Sequence, residues 1–158
     1  MTVTVFDNID TVEKAQELRL IRNECAGWMT KNTNQISQEQ QREFFREKIS
    51  TGLIEGFLVR DDNGNAVAYG LLVWDDEGRV WSSNGTKVSE RGHGYGRTAT
   101  VEIARRAHAQ GVPIWAEVRH DNTGEQKICA TIGYEILDTF ERDGLVIDVM
   151  RCDKLEES

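Results

Sequence analysis

The stretch "ERGHGYGRTAT" at 90–100 places glycine at 92, 94 and 96 and sets Arg91 and Arg97 on either side. Alternating glycines leave a string of backbone N–H groups unobstructed, and glycine accepts the positive φ values that turn such groups toward a ligand. The run that follows reads as a helix, which adds unpaired N–H donors and the positive end of its dipole. Together these make an anion cradle, and a phosphate or pyrophosphate is its natural guest. The arginines add charge from the rim, and His93 and Tyr95 lie inside the loop. Two other readings stand beside this one. The first is a plain strand-to-helix turn. The second is a dinucleotide fold with Glu117 as the ribose-binding acid. Against the dinucleotide fold, the third glycine of G-H-G-Y-G-R arrives one residue too early for G-x-G-x-x-G, and a hairpin meander precedes it.

The loop must be held by what surrounds it. "TVTVF" alternates and predicts a strand over Thr2–Phe6, with Asn8 or Asp10 as cap of the next element. Val12, Ala15, Leu18, Ile21, Cys25 and Trp28 recur at helical spacing. Ser37 followed by Gln40 is a capping box opening a second helix, with Phe44, Phe45 and Ile49 as its buried face. Asn63-Gly64 and Glu77-Gly78 are turn signals, so Gly56–Arg60, Val67–Trp74 and Arg79–Ser83 form an antiparallel meander. After the glycine loop come a helix over Thr98–Gln110, a strand in "VPIWAEV", a helix over Asp121–Ile132 and a hairpin around Asp143-Gly144. A crossover helix makes the fourth and fifth strands parallel neighbours in a mainly antiparallel sheet.

The chain has 158 residues, consistent with one domain spanning 1–158. Its formal charge of −8 argues against nucleic acid as a partner, because phosphate binding over a surface needs a basic face. The scattered Cys25, Cys129 and Cys152 have no metal or redox spacing and read as reduced thiols in a cytoplasm. The three histidines do not cluster as zinc ligands, so no metal is expected. Neither a signal peptide nor a membrane-spanning run is visible.

R-G-H-G-Y-G at 91–96 resembles the R-x-x-G-x-G signature of the GNAT superfamily of acyl-CoA-dependent N-acyltransferases. The later segment "VRHDNTGEQKICATIGYEI" is similar to the family's second conserved region, with Asn122 and Gly133-Tyr134 at the usual interval. The element order also matches, over essentially the whole chain. The resemblance implies an α+β GNAT fold: a mixed, mostly antiparallel sheet of six or seven strands, four helices, and fourth and fifth strands that splay into a V. Acetyl-CoA lies in that V as co-substrate, and its pyrophosphate sits on the glycine loop. The cofactor-binding residues implied are Val88, Arg91, Gly92, His93, Gly94, Tyr95, Gly96, Arg97, Asn122 and Lys127, the last also readable as an ordinary solvated lysine.

For the chemistry, the resemblance implies a backbone N–H near the end of the fourth strand that stabilises the oxyanion, and Val88 and its neighbour Lys87 are the nearest candidates. Many members carry a tyrosine as general acid where this chain has Cys129, which is either a proton donor or a buried core cysteine. Glu117 on the fifth strand is the candidate base, acting directly or through water, or else a surface strand residue. His120, just beyond that strand, is a second base candidate, and Asp75 and Asp76 read as turn residues. The resemblance also implies that the segment 22–37 walls the acceptor pocket, with Trp28, Trp74 and Trp81 as candidates for its lining or for core. The expected reaction is acetyl transfer to a primary amine, either of a small molecule or of a lysine or N-terminus, with a homodimer common among relatives. The competing expectation is a CoA-binding module without catalysis.

Overall fold

A computed structural model describes residues 4–30 and 33–156. The chain runs through β1 (Val5–Asn8), α1 (Val12–Glu24), α2 (Gln38–Phe44), β2 (Ile54–Arg60), β3 (Ala66–Trp74) and β4 (Val80–Thr86). It continues through α3 (Tyr95–Ala109), β5 (Ile114–Arg119), α4 (Thr123–Ile132), β6 (Glu135–Arg142) and β7 (Leu145–Cys152). The strands form one seven-stranded sheet in the order β1-β2-β3-β4-β5-β7-β6. The β4–β5 neighbours are parallel, and the other pairs are antiparallel. This is the α+β arrangement implied by the sequence.

Local chemistry explains most boundaries. Thr11, in an extended conformation, caps α1 by accepting from the Lys14 amide, so the cap is neither Asn8 nor Asp10. Asp10 instead pairs with the Lys14 ammonium at 3.0 Å. The Ser37–Gln40 capping box forms with both of its reciprocal bonds. The helix then continues through a wider turn over Phe45–Ile49. The first strand starts later than expected, at Val5, and Thr2 and Val3 lie outside the described residues. Helix α3 begins at Tyr95 rather than Thr98, because Gly94 adopts φ +84° and serves as its left-handed first cap. Gly96 is therefore a helical residue.

Pleating divides the core in two. On one face, Phe57, Val59, Leu72, Val80, Ile114 and Ala116 pack against Ala99, Ile103 and Ala104 of α3 and Cys129 and Ile132 of α4. On the other, Leu58, Tyr69 and Leu71 pack against Ala15, Leu18 and Ile21 of α1. Phe44, Phe45 and Ile49 reach this second cluster from the rim, as their spacing predicts.

The sheet is interrupted at its middle. Strands β4 and β5 pair only at Val80↔Ile114 and Trp81↔Trp115. Beyond these two rungs they separate, while β5 stays paired with β7 from Ile114 to Arg119. Trp81 and Trp115 meet at 5.6 Å between ring centroids, with the Arg79 guanidinium against both rings. That stack closes one end of the V.

Gly70 on β3 shows how tightly the first face is packed. An added Cβ would overlap the Phe57 ring and lie 2.9 Å from Ile103 Cγ1. Gly70→Ala should lower the urea midpoint at unchanged slope, a loss of about 1–3 kcal/mol from overpacking.

Candidate active site

The V opens into a cleft of about 1090 Å³ walled by the glycine loop, β4, β5, α4 and the segment around Trp28. Gly92 and Gly94 take φ of +88° and +84°, and a side chain at either would point into open space. Among the described residues, no protein acceptor takes the amide N–H of any residue from 92 to 97; the first amide in the helix to find a partner is Thr98, on Gly94 O at 3.1 Å. A run of six donors beside a helix N-terminus is an open anion site with its field already oriented. Arg91, Tyr95 and Arg97 stand on its wall. Asn122 also faces the cleft and caps α4 by accepting from the Glu125 amide at 3.3 Å.

Below the loop, strand parity sorts the chemistry. Trp81, Ser83, Trp115, Glu117 and Arg119 project toward α1, whereas Ser82, Asn84, Ala116 and Val118 project toward α3 and α4. On the α1 side, Arg142 holds both oxygens of Glu117, at 2.9 and 3.1 Å, and donates to Thr30 O at 3.1 Å. Arg119 lies 4.9 Å from the Trp28 ring and donates to Gly27 O. Two arginines thus latch the segment 27–30 across the mouth of the cleft. On the α4 side, Glu125 sits beside Asn84 at 3.5 Å and Cys129 at 3.6 Å. The buried Tyr134 hydroxyl is next to Ser82 and, among the described residues, makes no hydrogen bond of normal geometry. Beyond Trp81 the facing edges of β4 and β5 have no ladder partner, which leaves alternate main-chain N–H groups open to a ligand between them.

The profile of the Acetyltransferase (GNAT) family matches residues 16–134. The chain belongs to this family. GNAT membership makes it an acetyl-CoA-dependent acyltransferase, with acetyl-CoA as co-substrate. Among curated proteins, none matches the sequence. Solved structures match the fold along nearly the whole chain. An N-acetyltransferase from Staphylococcus aureus Mu50 superposes with TM-score 0.82 at 14% identity, over 97% of this chain and 98% of that one. A mutant of the spermidine N-acetyltransferase SpeG from Vibrio cholerae gives 0.80 at 12% identity, over 96% and 93%. The protein yncA of Salmonella typhimurium, solved with its cofactor acetyl-CoA, gives 0.78 at 15% identity, over 99% and 95%.

Several expected site residues stand elsewhere in this GNAT chain. The Val88 amide already donates to Glu24 Oε1 at 2.8 Å, and Val88 lies outside the cleft wall, which corrects its assignment as oxyanion donor. His93 is turned onto Glu90, its ring nitrogen 3.0 Å from the carbonyl oxygen, and Lys127 points to solvent from α4; neither reaches the cleft. Cys129 does face it, but burial and then the nearby Glu125 push its thiol well up, making it a weaker acid than a free cysteine. Trp28 and Trp81 line the cleft, whereas Trp74 packs on the α3 face. Sequence reasoning passed over Arg142 and Glu125. Nothing local marks Arg142, but Glu125 precedes Cys129 by one helical turn, and that spacing places both on one face.

Buried Asp148 on β7 ties the far end of β5 to α4. Its carboxylate accepts from Thr139 at 2.7 Å and Gln126 at 2.7 Å and lies 2.9 Å from His120 Nδ1. His120 is spent on this network and does not face the cleft. Although burial alone would raise it, the Thr139, His120 and Gln126 contacts hold the Asp148 carboxyl below its ordinary value. Such a group stabilises the fold above the ordinary aspartate pKa of about 3.9, and the contribution fades as pH falls through the lowered native value. Asp148→Asn should therefore cost about 1–3 kcal/mol near pH 7, with the gap to the unmodified chain shrinking in acid below about pH 4, read by urea unfolding across pH.

Proposed function

We propose that this GNAT protein moves an acetyl group from acetyl-CoA to a primary amine by direct attack of the amine nitrogen on the thioester carbon. The observation that carries the reading is the set of unclaimed amides at 92–97 beside an open strand edge. The pyrophosphate rests on those amides, with Gly92, Gly94 and Gly96 keeping the approach clear and Arg91 and Arg97 adding charge. The pantetheine arm enters between β4 and β5 past Asn122. A main-chain N–H on the open edge of β4, within residues 82–86, takes the oxyanion role that Val88 is not free to play.

The amine enters on the α1 face, beneath the latched segment 27–30 and beside Trp28 and Trp81. Glu117 receives the ammonium proton through water, since Arg142 occupies both of its oxygens. Much of the acceleration then comes from holding nitrogen and carbonyl carbon at attacking distance in a cleft that orients both. An acidic chain of charge −8 favours cationic amines as acceptors, and among structural neighbours the Vibrio cholerae protein is named for spermidine.

Gly94→Asp tests the cradle. The aspartate would occupy a left-handed position and put a carboxylate where the anion belongs. The unmodified protein should show a rise in Tm with added acetyl-CoA that grows with concentration, and the variant should fold but show none. Full stabilisation of the variant would refute the loop as the pyrophosphate site. Thiol release from acetyl-CoA with a panel of primary amines then separates a transferase from a module that only binds.

A further inference from the structure

We propose that Glu125 is the acid that protonates the thiolate of coenzyme A as it leaves, an inference that rests on the acetyl-transfer reading above. The amine-facing carboxylate, Glu117, lies on the α1 face, so it is on the wrong side of the sheet to serve a leaving group held against α4. On the α4 face, three side chains with an acidic hydrogen converge on the cleft wall: Glu125, Cys129 and Tyr134. Glu125 Oε1 is held by Asn84 Nδ2 of β4 at 3.5 Å and by the Cys129 thiol at 3.6 Å. Its titratable neighbours on the packed elements are Cys129 of α4 and Tyr134 after it, both neutral. Among the described residues no cation pairs with it. Burial without a countercharge holds its carboxyl above the ordinary glutamate range. Cys129 and Tyr134 start from weaker acids, and burial raises both further. Glu125 is therefore the strongest acid available where the sulfur departs.

The amine lone pair forms the C–N bond, the C–S bond breaks with its electron pair on sulfur, and the Glu125 proton passes to sulfur to give the free thiol. Of the two protons the ammonium surrenders, one restores Glu125 through solvent in the open cleft and the other leaves to bulk water.

Glu125→Gln keeps the shape and the contacts with Asn84 and Cys129 but has no proton to transfer. Thiol release should be followed across pH with the best amine of the panel, and with water as the acceptor. In the unmodified protein the rate should fall on the alkaline side as Glu125 loses its proton. The variant should lose about 100-fold in kcat with KM for acetyl-CoA unchanged, and that alkaline limb should vanish. Glu125→Asp should restore the limb at a reduced rate. Stability gives a second readout that needs no turnover. A raised native pKa contributes stability that is complete below the ordinary glutamate value of about 4.3 and lost as pH rises through the native value. The Tm of Glu125→Gln relative to the unmodified protein should therefore climb with pH. A kcat close to the unmodified value, a surviving alkaline limb or a flat Tm difference would each overturn the assignment while leaving acetyl transfer intact. An unmodified protein that is stabilised by acetyl-CoA yet releases no thiol with any acceptor would instead overturn the transfer reading and this step with it.

Discussion

The site exists because two parallel strands pair for two rungs and then stop. Main-chain groups in a folded interior must find partners, and the edges of β4 and β5 beyond Trp81 and Trp115 do not find them in each other. The gap is sustainable because it is a wide cleft that admits solvent or a ligand able to bond those edges. The break is also confined. The Trp81–Trp115 contact with Arg79 seals one end, and unbroken pairing of β5 with β7 holds the strand that moves away.

That separation turns strand pleating into a division of chemical labour. Because successive side chains point to opposite faces, a shift of one position along β5 exchanges Glu117 for Val118. In the proposed reaction, groups on the α1 side would meet the incoming amine and groups on the α4 side the departing sulfur. A thioester held in the gap would be reachable from both faces at once. A closed sheet would place the same side chains on opposite sides of a wall.

Charge is arranged on the same plan. The chain is acidic overall, yet three cleft carboxylates are already engaged: Glu117 by Arg142, Asp121 by Arg119, and Asp75 by Arg79 and the Trp81 indole. The last of these holds Asp75 at a pKa of about 2, with the indole bond the largest cause. Arg142 and Arg119 also latch the 27–30 segment, so this wall of the cleft is tied together by contacts between distant parts of the chain. The glycine loop, by contrast, presents positive charge through amides and rim arginines, and among the described residues nothing consumes its amides at 92–97.

What the sequence determined by itself is the set of features that depend on a few neighbouring residues. The glycine spacing set a cradle of bare amides, the Ser37–Gln40 pair a capping box, the turn dipeptides a meander, and the apolar periodicities the helices and strands in their order. These rest on backbone sterics and hydrogen bonds within one turn or one hairpin, which a short window of residues fully specifies. Tertiary structure alone decided which reactive groups are free. Val88 reads as a donor until Glu24, sixty-four residues away, claims its amide. Glu117 reads as an open base until β6 brings Arg142 to it across β7, and Cys129 reads as an acid until its surroundings dry it. The reason is competition: a polar group bonds whatever partner the sheet register and the packing bring within about 3 Å, and neither is written in the residues beside it.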